Sequence, residues 1–233
     1  MPNPTPAITE QNMNEYGFSF QGHQLLARPD GTLWWPDQGL LVVSDLHLGK
    51  SGRMARRGGG LLPPYETRDT LLRLDEALNA TNPATVICLG DSFDDATAAE
   101  EIGEDEILWL TRMQSGRVWI WIAGNHDPAP LPFPGEQKAE HTLHGLVFRH
   151  IAKPEASGEI SGHFHPKTRV SSRGKSLTRA SFVVDQNRII LPAFGTYTGG
   201  MHTDHPALSD LFGEKALAIV TGRSACPVPL NKI

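Results

Sequence analysis

Three short apolar runs set the strongest constraint on how this chain can fold: Leu40-Leu41-Val42-Val43, Thr85-Val86-Ile87-Cys88-Leu89 and Val118-Trp119-Ile120-Trp121-Ile122-Ala123. None alternates apolar with polar residues, so each suits a strand buried on both faces, as in a parallel sheet. The segments between them carry helical spacing. After Pro63-Pro64, residues Tyr65–Ala80 place Leu71, Leu74 and Leu78 on one stripe, with Leu72 alongside, and Ala98–Gln114 reads as a second helix. Strand, helix, strand, helix, strand in that order predicts βαβ crossovers. Upstream, Phe18–Phe20, Gln24–Ala27 and Thr32–Trp35, with the turn Pro29-Asp30-Gly31, predict a β-hairpin. After residue 140 the expected elements are strands: Leu146–His150, Phe182–Asp185, Arg188–Leu191 and Ala216–Val220. Such halves stack as two facing mixed sheets with helices outside, an α/β four-layer α/β/β/α sandwich. Residues 1–16, polar and Pro-rich, read as a mobile lead-in, and residues 17–233 as a single domain.

Composition narrows the setting. The 233 residues hold 21 Lys and Arg against 26 Asp and Glu, so a general basic coat for nucleic acid is excluded, though a local patch is not. Two cysteines exclude a disulfide framework and a Cys-rich zinc fold. No run approaches the ~18 apolar residues of a membrane span. The N-terminus has neither a basic nor an apolar signal-peptide region, which predicts a soluble, cytoplasmic protein with no membrane partner. The five acids in residues 100–106 suit the start of a helix and read as a solvated face.

Each buried strand ends in polar residues with no packing value. The first runs into Ser44-Asp45-Leu46-His47, the second into Gly90-Asp91-Ser92-Phe93-Asp94, the third into Gly124-Asn125-His126-Asp127. Ligands of open α/β sheets bind beyond the carboxyl ends of strands, so these loops are expected to share one crevice. His150 and Gly162-His163-Phe164-His165 follow. Singly these are ordinary loop polars; as an ordered set, DxH, GDxxD, GNHD, His and GHxH describe a metal site.

That set resembles the calcineurin-like metallophosphoesterases, over about residues 40–200. Asp45–Arg57 and Pro192–Gly200 are similar to a narrower bacterial group, the ligase-associated, PdeM-like DNA damage response endonucleases. The resemblance implies a metallophosphoesterase domain holding two divalent metal ions. Asp45, His47 and His165 would hold one; Asn125, His150 and His163 the other; Asp91 would bridge them. It also implies a DNA substrate, with DNA ligase or repair proteins as partners.

Chemistry agrees with that division. Two divalent ions ~3.5–4 Å apart need an anionic bridge against their repulsion. Carboxylate, amide and imidazole donors without thiolate favour manganese first, then iron or zinc. Two carboxylates against two dications leave a formal +2, which attracts phosphate. The expected reaction is phosphodiester hydrolysis by a metal-bridging hydroxide, with His126 as general acid and Asp127 or Asp94 supporting its ring. Hydrolysis of a small nucleotide or phosphomonoester is the alternative; a non-catalytic adaptor of the same fold would have no need of these ligands.

The fourth motif is the thinnest, because Ile151 and Ala152 follow His150 and because His141 and His144 compete for its role. Gly49-Lys50-Ser51 mimics a P-loop end, but Ser44 stands where the first glycine belongs. His23, His202 and His205 read as surface histidines, the five tryptophans as packing, and Cys88 as a buried, inert thiol. Segment 48–62 reads as a Gly- and Arg-rich loop. Its Arg53, Arg56 and Arg57, with Lys50, are either solvated or, as the resemblance suggests, substrate-binding. Lys167, Arg169, Arg173, Lys175 and Arg179 would form the opposite bank.

Overall fold

The computed structural model describes residues 14–58, 62–128, 131–172 and 174–230. Two mixed sheets face each other, with helices outside. The first has the order β1 (Tyr16–Phe20), β2 (His23–Ala27), β3 (Leu33–Trp35), β4 (Leu40–Val43), β5 (Thr85–Leu89), β6 (Val118–Ile122) and β7 (Glu136–Lys138). It is antiparallel through β4 and parallel from β4 to β7. The second contains β8 (Glu140–Leu143), β9 (Leu146–Arg149), β10 (Glu159–Ser161), β12 (Lys175–Val184), β13 (Arg188–Ile190), β14 (Leu217–Val220) and β15 (Cys226–Pro229). Its order is β15-β14-β12-β13-β10-β9-β8, and β11 (Lys167–Ser172) forms a hairpin with β12.

Pleating explains why the three apolar runs lack alternation. Leu40, Val42, Ile87, Leu89, Ile120 and Ile122 point between the sheets, where they meet Leu146, Phe148, Ile160, Phe182 and Ile189. Their neighbours Leu41, Val43, Val86, Cys88, Trp119 and Trp121 point outward, onto Leu71, Leu74, Leu78 and Leu110. Those last residues belong to α2 (Glu66–Thr81) and α4 (Glu104–Gln114). Each strand therefore feeds two cores, and each buried aliphatic side chain contributes about 1.5–3 kcal/mol. The outer face of the second sheet is covered more thinly, by Leu208 of the short α5 (Pro206–Ser209) with Phe212 and Ala216.

Several elements differ from the sequence reading. Segment 48–62 contains a helix, α1 (Lys50–Arg56), which buries no residue. Gly49 opens it at φ 78°, and Glu66 accepts from the Ser51 amide and hydroxyl. The second expected helix is two, α3 (Ala96–Glu101) and α4, broken at Ile102-Gly103. The acids there are more than a solvated face: Glu101 pairs with Arg56, and Asp105 and Glu106 with Arg68. At the N-terminus, Tyr16 already belongs to β1 and Glu15 pairs with Arg28, so the tether begins before residue 17. Residues 1–13, Gly59, Gly60 and Arg173 lie outside the described residues.

Candidate metal centre

The carboxyl ends of β4, β5 and β6 and the loops after β9 and β10 meet at one end of the sandwich. The first two loops are stitched together, His47 N to Asp91 O at 2.9 Å and Leu48 N to Ser92 O at 3.0 Å. Within the second sheet Gly162 N donates to His150 O at 3.0 Å, and across the two sheets the His163 amide donates to Asp45 Oδ2 at 3.0 Å. Five of the seven expected ligands have left-handed backbones: Asp45 (φ 53°), His47 (46°), Asp91 (47°), His163 (69°) and His165 (47°). Each such residue costs of order 1–3 kcal/mol, a strain typical of functional loops. Two glycines make room for them. A Cβ on Gly124 would lie 2.1 Å from the Asp91 amide, and one on Gly162 would lie 1.7 Å from Ser44 Oγ.

The side chains form two convergent groups, Asp45–His47–His165 and Asp91–His150–His163. In each carboxylate one oxygen is tied down. Asp45 Oδ2 accepts from Ser44 Oγ and the His163 amide, and Asp91 Oδ1 accepts from the His126 amide at 2.8 Å. The other oxygen faces the centre. Asp45 Oδ1 is buried without a hydrogen-bond donor aligned on it, 3.1 Å from His165 Nε2, while the Nε2 atoms of His165 and His47 are 3.4 Å apart.

The second group is more telling. His150 Nδ1 donates to the Leu89 carbonyl at 2.8 Å, so Nε2 is the nitrogen turned to the centre. Asp91 and Asp45 outweigh burial and raise the ring's pKa, and a divalent ion that displaces the Nε2 proton meets a lone pair there. That Nε2 lies 2.9 Å from Asn125 Oδ1, 3.2 Å from His163 Nδ1 and 3.3 Å from Asp91 Oδ2. Acceptors so crowded repel one another unless a cation sits among them. A buried carboxylate oxygen without a donor and converging imidazole nitrogens are the environment a divalent ion needs, so the residues fit one.

The charges are poised for this. Burial works against ionisation of Asp91, but the His150 ring and the His126 amide outweigh it and hold its pKa down to about 2. Asp45 is also held below the usual carboxylate range, with burial opposed by His165 and His150. Burial and the neighbouring His150 depress His163, favouring its neutral, ligating form.

The sequence profile of the calcineurin-like phosphoesterase family matches residues 40–215. The chain belongs to the calcineurin-like phosphoesterase family. It is also similar to the crystal structure of Pseudomonas putida nuclease MPE, with a TM-score of 0.72 and 27% identity over 92% of this chain and 100% of that one. A search of curated protein sequences returns no match. The family works with divalent metals, in keeping with the two ligand groups.

Against this phosphoesterase frame, some expected roles move. Asp127 does not support His126. Its carboxylate accepts the amides of Asp91, Ser92, Phe93 and Gly124 at 2.7–3.1 Å and so clamps the second loop to the third. Asp127→Ala leaves four buried N–H groups without an acceptor, at about 1–3 kcal/mol each. A large drop in Tm is expected; unchanged Tm with reduced kcat would instead make Asp127 a partner of His126. The His126 ring is held by a backbone group, Nδ1 donating to the Asp94 carbonyl at 2.8 Å.

The Asp94 carboxylate serves His47, 2.8 Å from its Nδ1. Asp94 is in turn compensated by Lys50 and Arg53, and its pKa falls well below the ordinary value despite burial. His47, Asp94 and His126 thus form a third convergent group, whose carboxylate is already neutralised by side chains. This also revises the role expected of the α1 arginines. Arg53 is spent on Asp94, and Arg56 on Asp95 and Glu101; Arg57 is exposed at the end of α1. The sequence signal for Asp94 was the last position of GDxxD, but nothing local told which histidine it would meet.

Of the competing histidines, His150 is the one that lies in a convergent group among the described residues. His144 caps Gln38 at 2.9 Å and packs on Trp35, and His141 lies 3.2 Å from Lys138. His150→Ala is expected to lose metal by elemental analysis, with His141→Ala and His144→Ala unchanged. Metal loss in either of the latter, with His150→Ala normal, would move the ligand. Cys88 is buried as expected, and burial pushes its thiol far above the ordinary range.

Proposed function

We propose that this chain is a two-metal phosphodiesterase acting on DNA, in the cytoplasm and in the service of repair, built as a single metallophosphoesterase domain that includes β1. The observation that carries the reading is the convergence of His150 Nε2 with Asn125 Oδ1, His163 Nδ1 and Asp91 Oδ2 beside the free oxygen of Asp45. Asp45, His47 and His165 would hold one ion, Asn125, His150 and His163 the other, and Asp91 would be shared. Manganese suits these donors first, with iron or zinc next. The nuclease title of the Pseudomonas putida neighbour supports nucleic acid as substrate; DNA and a DNA ligase partner rest on the similarity to ligase-associated endonucleases.

When bound, the two cations supply an acidified water and draw charge from the phosphoryl oxygens. The chain does the rest. Asp94, compensated by Lys50 and Arg53, keeps the His47 proton on Nδ1 and Nε2 free to ligate. The Asp94 carbonyl fixes the His126 ring through Nδ1, so Nε2 is the nitrogen available to protonate the departing oxygen. Arg57, exposed beyond α1, is the arginine of that helix best placed to meet a substrate.

Hydrolysis of an aryl phosphodiester should stop with EDTA and return with Mn²⁺. A panel of single-stranded, nicked and duplex DNA, RNA and small cyclic or dinucleotide phosphates should then favour DNA. Turnover confined to the small nucleotides would make the chain a nucleotide hydrolase, and no turnover with Mn²⁺ would overturn the enzymatic reading.

A further inference from the structure

A groove of about 670 Å³ runs away from the ligand loops between α2 and the β11–β12 hairpin. One wall is the segment Ala193–Thr198, tied to the first ligand loop by Phe194 N to Ser44 O at 2.9 Å and Gly195 N to Asp45 O at 3.0 Å. The same segment continues to Met201, whose amide donates to His165 O at 3.2 Å. The wall is therefore fixed to residues from both ligand-bearing halves, and the groove opens beside them.

Its charges are unequal. Arg73 is spent: its guanidinium lies 4.6 Å over the Phe194 ring, donates to Phe194 O and Thr196 Oγ1, and pairs with Asp69 at 3.4 Å. Asp69, the groove's acid, is thereby compensated. Lys167 has only a 3.4 Å contact with Thr198 O, and Arg179 is exposed with no ion pair among the described residues. Two cations in an otherwise acidic protein thus face this groove without an ion pair among the described residues.

An aromatic residue lines the same groove. Tyr197 is 40% exposed and held at φ 61°, a conformation that bulky residues rarely adopt. Tyr65, 57% exposed, is its neighbour. Neither ring has a core to fill, and strain of this kind persists where the surroundings enforce it for a use.

We propose that this groove receives a single strand of nucleic acid, with its phosphates on Lys167 and Arg179 and an unpaired base stacked on Tyr197, and leads it to the metal centre. The inference rests on the nuclease reading and adds strand preference to it. A base within a duplex has both faces covered and offers this ring nothing, whereas an unpaired base gains about 1–3 kcal/mol from stacking.

The test is binding of a fluorescein-labelled oligothymidylate, by anisotropy, to the protein kept metal-free with EDTA. Tyr197→Asn removes the ring at a φ that asparagine tolerates, and should weaken binding roughly 5- to 150-fold, the stacking energy converted to affinity. Tyr197→Phe should bind like the wild type. Arg179→Gln should lower the salt-dependence slope by about 0.7, the value of one single-strand phosphate. A blunt duplex of equal length should bind more weakly and ignore Tyr197→Asn. Unchanged oligothymidylate affinity in both Tyr197→Asn and Arg179→Gln would overturn the proposal, as would equal losses on duplex and single strand. Aryl phosphodiester hydrolysis with Mn²⁺, run in parallel, separates the two readings. Turnover without oligonucleotide binding would refute the groove alone; groove binding without turnover would refute the catalytic reading alone.

Discussion

Asp91→Ala should abolish phosphodiester hydrolysis and strip the protein of most of its metal. Asp91 is 2% exposed, ionised down to a pKa of about 2, and keeps Oδ2 free 3.3 Å from His150 Nε2. On the proposed reading its charge would be shared between two dications and would let them sit close together, so without it both sites should weaken at once. The loss should be several kcal/mol of transition-state stabilisation, roughly 10³-fold or more in kcat/KM. Alanine also removes the acceptor for the His126 amide, so a second variant isolates the charge. Asp91→Asn retains an oxygen for that amide but not the anion, and should lose metal in the same way. Two ions per chain in Asp91→Asn, by elemental analysis, would disprove the sharing of this residue.

His126→Ala should leave the metals in place and lower kcat by roughly 10²–10⁴, the usual contribution of a general acid. The ring stands 5.2 Å from that of His47, edge to face, with Nδ1 committed to a backbone carbonyl. Nε2 is therefore the only ring nitrogen that can give up a proton to a substrate. A nitrophenolate leaves with little need of that proton, so the deficit should shrink on a nitrophenyl diester and persist on an alkyl or nucleotide diester. Equal deficits on both would assign His126 a positional role instead.

The βαβαβ half, the metal-type residues after each of its strands, and the family were all legible in the sequence. Runs such as Leu40–Val43 and Val118–Ile122 announce burial on both faces through composition alone, and ordered motifs survive without knowledge of partners. Elements held by long-range contacts were not legible. The strands β7, Glu-Gln-Lys, and β11, Lys-Thr-Arg-Val-Ser-Ser, have no apolar pattern, because their pairing comes from neighbours and not from burial. Helix α1 buries nothing and is kept by ion pairs to Asp94, Asp95 and Glu101.

The same division runs through the site. The sequence by itself determined which residue types arrive at the crevice and that they suit hard, divalent ions. Only the tertiary structure decided their partners. It gave His150 its tautomer through the Leu89 carbonyl, 61 positions away, gave Asp94 to His47 instead of His126, and turned Asp127 from an acid–base aid into a clamp. Hydrogen-bond direction and proton position depend on atoms brought together by the chain's return, and the spacing of residues along one strand-ending loop holds no record of them.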